Sequence, residues 1–295
     1  MSATQLQTND EADVQFYEID IPVRGCQFNL KLFKNVYREL QKISRKEADR
    51  IVDAFIQPPD KTLEQFEADK RHVKDRAFRL TVSVVGVDGQ TSYGDTEKIF
   101  DLDTLPKPID TIFITNENAF KPYASGQSPS NYFRLWVHFS KPPLIDGASL
   151  LSEPTPNASK TYIRADDITY FRAVQTIINK GLMKNRQWYY LIHGRAVYDV
   201  GFWLFALPYA LYLITSKLDT YVPADGPYSS YRVAGFIYGI GIILVSYRVL
   251  MGYFKWAFPV NILEENNDQS LTHRIIFGGI ILGVLGNALS SLLGF

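Results

Sequence analysis

The segment RVAGFIYGIGIILVSYRVLMGYF, residues 232–254, decides the organisation of the chain, because it is apolar over enough residues to cross a lipid bilayer. A helix rises about 1.5 Å per residue, so about 20 apolar residues span a hydrocarbon core of about 30 Å. Two further segments of this kind lie at 198–216 and 274–295. The sequence therefore predicts a three-helix transmembrane region over residues 198–295.

Buried core helices of a soluble protein are the alternative explanation of these segments. Two features argue against it: all three segments lie in the C-terminal third of the chain, and aromatic residues stand at their ends. Trp188, Tyr189 and Tyr190 precede the first segment, and Trp256 follows the second. Aromatic side chains in these positions are typical of the headgroup level of a membrane.

The basic residues around the first segment predict its orientation. The residues before it include Lys180, Lys184, Arg186 and Arg195. The loop that follows carries Lys217 with two aspartates. Because cytoplasmic flanks carry the excess of lysine and arginine, we expect a multi-pass protein of the cell inner membrane with a cytoplasmic N-terminus. The N-terminal residues lack the basic and apolar regions of a cleavable signal peptide, which agrees with this orientation.

Small residues recur along one face of the third segment at spacings of three and four. They are Gly279, Gly283, Gly286, Ser290 and Gly294, with Asn287 on the same side and Ser291 adjacent. Gly235 and Gly239 repeat the pattern in the second segment. Small residues at this spacing let helix backbones approach closely in lipid. Two interpretations remain open: packing among the three helices, or packing between copies of the chain, with the polar side chains lining a narrow pore.

Pro208 lies near the middle of the first segment. Proline lacks a backbone N–H and bends a helix at its position. The residue is therefore a candidate hinge.

The N-terminal part of the chain predicts an α+β domain over residues 13–165, with a mostly antiparallel sheet and several helices. Asp88-Gly89 lies between two β-prone runs and predicts a hairpin. Ser44 to Glu47 match a capping box and predict that a new helix begins there. A helix over 166–197 should connect the domain to the membrane region, and the polar residues 1–12 predict a tail without fixed structure.

Composition excludes several classes of function. The chain has 31 basic and 31 acidic residues, so it lacks the basic excess of a nucleic-acid-binding protein, and no nucleic-acid partner is expected. The single cysteine, Cys26, excludes an internal disulfide framework. The sequence contains none of the common hydrolase, zinc-protease or nucleotide-binding motifs. We therefore expect no cofactor, and a non-enzymatic function is favoured.

Asp101 and Asp103 are the weak candidates for metal ligands, because alternate residues of an extended segment point to the same face. Two solvated carboxylates are the more common explanation of this spacing. Five basic residues form a further cluster, which is typical of a solvated helix face or of contact with anionic lipid. They are Lys70, Arg71, Lys74, Arg76 and Arg79.

The sequence as a whole predicts a multi-pass membrane protein whose cytosolic domain senses a small-molecule ligand or docks a cytosolic protein. This domain would be coupled to a transmembrane unit that forms homo-oligomers in the lipid bilayer. Two outcomes of this coupling stay open: the opening of a pore, or a change of assembly alone. Two alternatives remain: a membrane-bound metal-dependent transferase or hydrolase that uses Asp101 and Asp103, and a static anchor for a soluble partner.

Overall fold

The computed structural model describes residues 16–143, 155–194, 199–266, 272–276 and 278–279. The chain forms two compact units. The sheet unit contains the described residues up to Val23 together with Asn29–Val137 and Ser159–Lys184, and the hairpin unit contains the rest. The predicted tail at 1–12 and most of the predicted third membrane segment lie outside the described residues.

The strands of the chain form two sheets. They are β1 (Tyr17–Pro22), β2 (Cys26–Phe28), β3 (Thr81–Gly86), β4 (Thr91–Gly94), β5 (Ile109–Thr115), β6 (Tyr132–His138), β7 (Lys160–Ala165) and β8 (Asn261–Leu263). The sheet unit holds a six-stranded antiparallel sheet in the order β1-β7-β6-β5-β3-β4, and β2 pairs with β8 in parallel in the hairpin unit. The predicted α+β class is confirmed.

Strand β6 shows how the sequence builds the large sheet. Phe133, Leu135 and Val137 are completely buried, whereas the residues between them, Arg134 and Trp136, are half-buried. Successive side chains of a strand point to opposite faces, so this alternation places one face against the core and the other toward water. The predicted hairpin is also confirmed: β3 and β4 are antiparallel, and Gly89 takes a positive φ of 83° in the turn between them.

The helices divide between the two units. The sheet unit contains α1 (Leu30–Asp53), α2 (Leu63–Ala77), the short α3 (Glu117–Phe120) and α4 (Ile168–Ile177), and the hairpin unit contains α5 (Leu207–Tyr221) and α6 (Arg232–Ala257). Helix α1 packs against α2 and α4, and α4 packs against β7. The predicted connecting helix therefore belongs at its start to the core of the sheet unit, and it changes to a π-helical turn over Ile178–Leu182.

The predicted helix start at Ser44 is wrong, because α1 runs without a break from Leu30 to Asp53. The serine hydroxyl donates to the carbonyl oxygen of Phe78 at 2.8 Å instead of capping a helix. Glu47 also has partners elsewhere, since its carboxylate accepts two hydrogen bonds from Arg50. Both polar side chains therefore form hydrogen bonds from within a continuous helix. A local capping pattern does not reveal these hydrogen bonds.

A buried polar network fixes α1 and α4 to the end of the sheet. Asn131 is fully buried, and its amide group donates to Glu47 Oε1 at 2.7 Å. Its side-chain oxygen accepts from the backbone N–H of Asp166 at 2.9 Å and of Asp167 at 3.3 Å, at the N-terminus of α4. Asn116 in turn donates to the backbone carbonyl of Asn131 at 3.0 Å. Buried polar groups need such partners, so the network specifies how these elements meet.

Replacement of Asn131 by alanine should destabilise the sheet unit by about 2–4 kcal/mol, because it removes a donor from the buried Glu47 carboxylate and an acceptor from two backbone amides. Asn118→Ala is the matched control, since Asn118 is exposed. Urea unfolding of the full chain in detergent, followed by circular dichroism, measures both. Equal stability of the two variants would contradict the role of the network.

A second buried carboxylate, Glu117, lies at the start of α3 and pairs with Arg134 of β6. Two hydrogen bonds from the guanidinium, of 2.6 and 2.8 Å, reach its two oxygens, and the Ser128 hydroxyl donates to it at 2.5 Å. The Arg134 hydrogen bonds, with smaller contributions from Ser128 and Lys121, lower the pKa of Glu117 to about 2 against the opposing effect of burial. The pair ties the loop after β5 to β6.

Because the pKa of Glu117 is lowered in the folded state, its ionised form stabilises the protein fully at pH values above its ordinary pKa of about 4.5. This stabilisation should be lost as the pH falls from about 4.5 to about 2, since the unfolded chain takes up a proton there and the folded chain does not. Acid unfolding curves of the wild type and of Glu117→Gln measure the effect. The stability difference between them should shrink through this window, and a constant difference would contradict the assignment.

Candidate functional site

The sheet unit contains a cleft of about 710 Å³, a size typical of ligand pockets. Three segments line it: one face of α1, the C-terminal end of α2 with the residues after it, and the segment that follows β4. The lining residues of α1 recur at intervals of three and four, which places them on one side of the helix. They are Tyr37, Arg38, Gln41, Lys42, Arg45 and Asp49.

Two buried aromatic residues, Tyr37 and Phe78, form the apolar part of the cleft. The Tyr37 hydroxyl donates to the backbone carbonyl of Asp95 at 2.8 Å. The Gln41 side chain joins the walls, since it donates to the carbonyl of Phe78 and accepts from the N–H of Leu80, each at 3.0 Å. These contacts fix the shape of the cleft.

Ion pairs line the rim of the cleft. Arg38 donates two hydrogen bonds to Glu97, of 2.5 and 2.9 Å. Arg79 pairs with Asp95 at 2.8 Å, and Lys74 pairs with Asp49. Side-chain hydrogen bonds to these acids raise the pKa of Arg38 and of Lys74, so both remain cationic.

Arg45 differs from the other cations of the cleft. Its side chain is exposed, and no carboxylate among the described residues pairs with it. The fifth cation, Lys42, pairs with Glu39 on the same helix at 2.6 Å. Five basic and four acidic side chains line the cleft in total. The guanidinium of Arg45 is therefore available to an anionic group that enters.

Burial holds three side chains with nucleophilic or basic atoms, Cys26, Tyr37 and His193, in their neutral forms. Burial raises the pKa of the Cys26 thiol to about 11 and that of Tyr37 to about 12. Burial also lowers the pKa of His193 to about 4, and its two ring nitrogens lie 2.9 Å from the Thr155 hydroxyl and 2.7 Å from the carbonyl oxygen of Phe258. These environments favour structural roles for the three side chains.

The structure separates the basic cluster seen in the sequence. Lys74 and Arg79 line the cleft, whereas Lys70 lies 5.3 Å from the ring centroid of Phe66 on α2. Arg71 and Arg76 are exposed outside the cleft. The cluster thus contributes two of the five cations of the site.

The metal candidates Asp101 and Asp103 are both exposed, and Asp101 pairs with Lys34 of α1. No group of three or more histidine, cysteine, aspartate or glutamate side chains that could hold a metal ion is present in the part of the chain that the structure describes. A metal site at this pair therefore stays a prediction.

The hairpin unit contains two helices that are long and apolar enough to cross a membrane, Gly201–Tyr221 and Ser229–Ala257. Their most apolar stretches have mean hydropathies of 1.2 and 1.9. Of these stretches, 6 % and 0 % of the residues are buried, whereas the core helix of a soluble protein would be largely buried. These helices are therefore apolar on nearly all sides and uncovered by the described protein.

The two helices pack against each other through glycines. A Cβ atom built on Gly239 would lie 2.9 Å from Ile214 Cδ1, and one on Gly235 would lie 3.0 Å from Leu218 Cδ2. Near the other end, a Cβ on Gly201 would lie 2.6 Å from the Tyr247 hydroxyl oxygen. The pairs progress in opposite directions along the two helices, so α5 and α6 form an antiparallel hairpin. Gly235 and Gly239 thus lie against the neighbouring helix of the same chain.

Pro208 lies in the first turn of α5, directly after the π-helical segment Gly201–Ala206. The absence of a proline N–H is tolerated there, because the helix is already irregular on its N-terminal side. The irregular segment ends two residues before Pro208. The hinge function stays a prediction.

The small residues of the third segment fall almost entirely outside the described residues. Gly279 is described and has no neighbouring atom within 4 Å of a built Cβ. Gly283, Gly286, Asn287, Ser290, Ser291 and Gly294 lie outside the described residues. Their role in packing or in a pore stays a prediction.

Comparison of the chain with protein-family profiles, with curated proteins and with solved structures gives no match. The function is therefore argued from the geometry of the cleft and of the hairpin.

Sequence reasoning missed most of the cleft. One charged face of α1 was the sequence feature that could have indicated the cleft. Its residues recur at helical spacing and are Arg38, Lys42, Arg45 and Asp49. Their meeting with Asp95 and Glu97 depends on the chain path after β4, which no local pattern predicts.

Gly239→Leu should separate α5 from α6, because its side chain would collide with Ile214. We expect a fall of about 5–10 °C in the melting temperature of the full chain in detergent. Gly241→Leu is the control, since a Cβ at Gly241 meets no atom within 4 Å. Similar melting temperatures of the two variants would contradict the packing of the hairpin.

Proposed function

We propose that this chain is an integral membrane protein with a ligand-binding α+β unit, in which the hairpin of α5 and α6 spans the bilayer. The near-complete exposure of the two apolar helices carries this proposal. Nine large apolar side chains are exposed between Tyr231 and Leu250. They are Tyr231, Val233, Phe236, Ile237, Tyr238, Ile242, Val245, Val249 and Leu250. Exposed apolar area on this scale marks a surface that meets lipid or another protein.

The ends of the hairpin support a transmembrane placement. Tyr221, Tyr228 and Tyr231 are exposed around the loop that joins the helices, and Trp256 lies at the far end of α6. From Tyr231 to Trp256 a helix rises about 38 Å, which matches the hydrocarbon core with part of the headgroup regions. Aromatic residues at both levels would anchor the hairpin.

The distribution of charge supports the orientation in this proposal. The 222–231 loop contains Asp225 and no lysine or arginine, whereas basic residues precede the hairpin. The loop would then lie outside and the sheet unit in the cytoplasm. The proposal keeps a third transmembrane segment at 274–295, whose small-residue face would contact other copies of the chain and line a pore.

The cleft supports the binding part of the proposal. Arg45 extends from α1 without a carboxylate partner among the described residues, beside an apolar floor of Tyr37 and Phe78. A small anionic ligand would gain a charge-assisted hydrogen bond from this guanidinium. In this proposal the sheet unit senses such a ligand and signals to the membrane region.

Extraction of cell membranes with alkaline carbonate tests the membrane placement. The full chain should stay in the pellet, and a chain that ends at residue 194 should leave it. A cysteine introduced at Ser229 should react with an impermeant maleimide added to intact cells, because the loop would lie outside. The native Cys26 should not react, because it is buried. Release of the full chain by carbonate would overturn the proposal.

Arg45→Gln should remove the response of the cleft to an anionic probe. We expect millimolar pyrophosphate to raise the melting temperature of the wild type in detergent and to leave that of Arg45→Gln unchanged. Arg76→Gln is the matched control, because Arg76 is an exposed arginine outside the cleft. An equal response of all three proteins would indicate general ion effects and contradict binding in the cleft.

A further inference from the structure

Two side chains of opposite charge in the cleft have no counterion among the described residues. Most of the charged side chains that line the cleft pair with a neighbour of opposite charge. The two that form no ion pair with any described residue are Arg45 of α1 and Asp75 of α2. A ligand that enters the cleft therefore meets one available cation and one available carboxylate.

Asp75 lies in the last turn of α2, and the cations near it have other partners. Arg79 donates from Nε to the backbone carbonyl of Asp75 at 2.7 Å, and its Nη1 pairs with Asp95 at 2.8 Å. Lys74 donates to Asp49, which is the main cause of its raised pKa, and the charge of Asp75 contributes less. The carboxylate of Asp75 is thus exposed beside the cleft without a hydrogen bond from either cation.

Both charges lie beside the aromatic floor of the cleft. Burial raises the pKa of Tyr37 to about 12, and the charge of Arg45 opposes this shift, so the guanidinium lies near the Tyr37 ring. Ser44, the residue before Arg45, donates to the carbonyl oxygen of Phe78 at 2.8 Å. Asp75 precedes Phe78 by three residues, which is about one helical turn. Arg45 and Asp75 therefore approach the same apolar surface from α1 and from α2.

This arrangement favours a ligand that carries both signs of charge. A simple anion beside Arg45 leaves Asp75 unpaired and is repelled by the acidic side chains of the rim. A zwitterion can pair with both residues at once, and an apolar body between or beside its charges covers the aromatic floor. The cleft of about 710 Å³ has room for a molecule of this kind.

We infer that the cleft binds a zwitterion with an apolar body, an amino acid or a short peptide, whose carboxylate pairs with Arg45 and whose ammonium group pairs with Asp75. This inference rests on the proposed ligand-binding function of the sheet unit, and it names the chemical class of the ligand. A guanidinium binds a carboxylate through two parallel hydrogen bonds, so Arg45 also orients the ligand.

Calorimetric titration of the full chain in neutral detergent with phenylalanine and with the dipeptide leucyl-phenylalanine tests the site. The tighter of the two identifies the amino acid or the peptide as the source of the zwitterion. Arg45→Gln and Asp75→Asn should each lower its affinity about tenfold, because each removes a hydrogen bond between charged groups. Arg76→Gln and Asp60→Asn are the matched controls, since both residues are exposed outside the cleft, and they should bind as the wild type does.

Ligands with one charge blocked assign each charge to its residue. Acetylation of the amine removes the ammonium group, so it should lower the affinity for the wild type about tenfold and abolish the further effect of Asp75→Asn. Conversion of the carboxylate to an amide should have the same relation to Arg45→Gln. Additive losses from the blocked ligand and the matching variant would contradict the assignment.

The absence of binding by both probes, or equal losses in the cleft variants and the controls, would overturn the inference. The proposed function would stand in that case if pyrophosphate still stabilised the wild type and not Arg45→Gln. Both would fall if neither the zwitterions nor pyrophosphate depended on Arg45.

Discussion

The apolar surface of α5 and α6 must leave water, and this requirement constrains the rest of the chain. Full burial of one large apolar side chain is worth about 1.5–3 kcal/mol. The nine exposed side chains between Tyr231 and Leu250 are each 36–75 % exposed, so they represent roughly 8–16 kcal/mol of unfavourable hydration. Exposed apolar area on this scale is typical of a surface that meets lipid or another protein.

Glycine packing explains how two such helices can pair in lipid. Lipid chains are as apolar as the helix surfaces, so hydrophobic burial does not drive the helices together. Close van der Waals contact between the backbones drives the pairing instead. Gly235 and Gly239 bring the α6 backbone to within van der Waals distance of Leu218 and Ile214. The connection at the loop is polar: Arg232 donates to the carbonyl of Val222 and pairs with Asp219. The two glycines and Arg232 thus define much of the geometry of the hairpin.

Features with a local physical cause could be predicted from the sequence. The Asp88-Gly89 turn needs a residue that tolerates positive φ, and its prediction is confirmed. The alternation in β6 likewise follows from the two-residue period of a strand. The prediction that a new helix begins at Ser44 was wrong. The side chains of Ser44 and Glu47 form tertiary hydrogen bonds to Phe78 and Asn131 instead of capping a helix. The cleft and the polar network join residues that are far apart in sequence, so no local pattern indicates them. The partner of Asp101, Lys34, also lies far away in sequence.

The central claim is that α6 lies in the hydrocarbon core of a bilayer. Spin labels at Ile242, near the middle of α6, and at Ser229, in the loop, would test this claim in proteoliposomes of the full chain. The measured quantities are the collision rates of each label with oxygen and with a water-soluble nickel chelate. Oxygen partitions into lipid and the chelate stays in water. The account predicts high oxygen and low chelate accessibility at Ile242, with the reverse at Ser229. High chelate accessibility at both positions would contradict it.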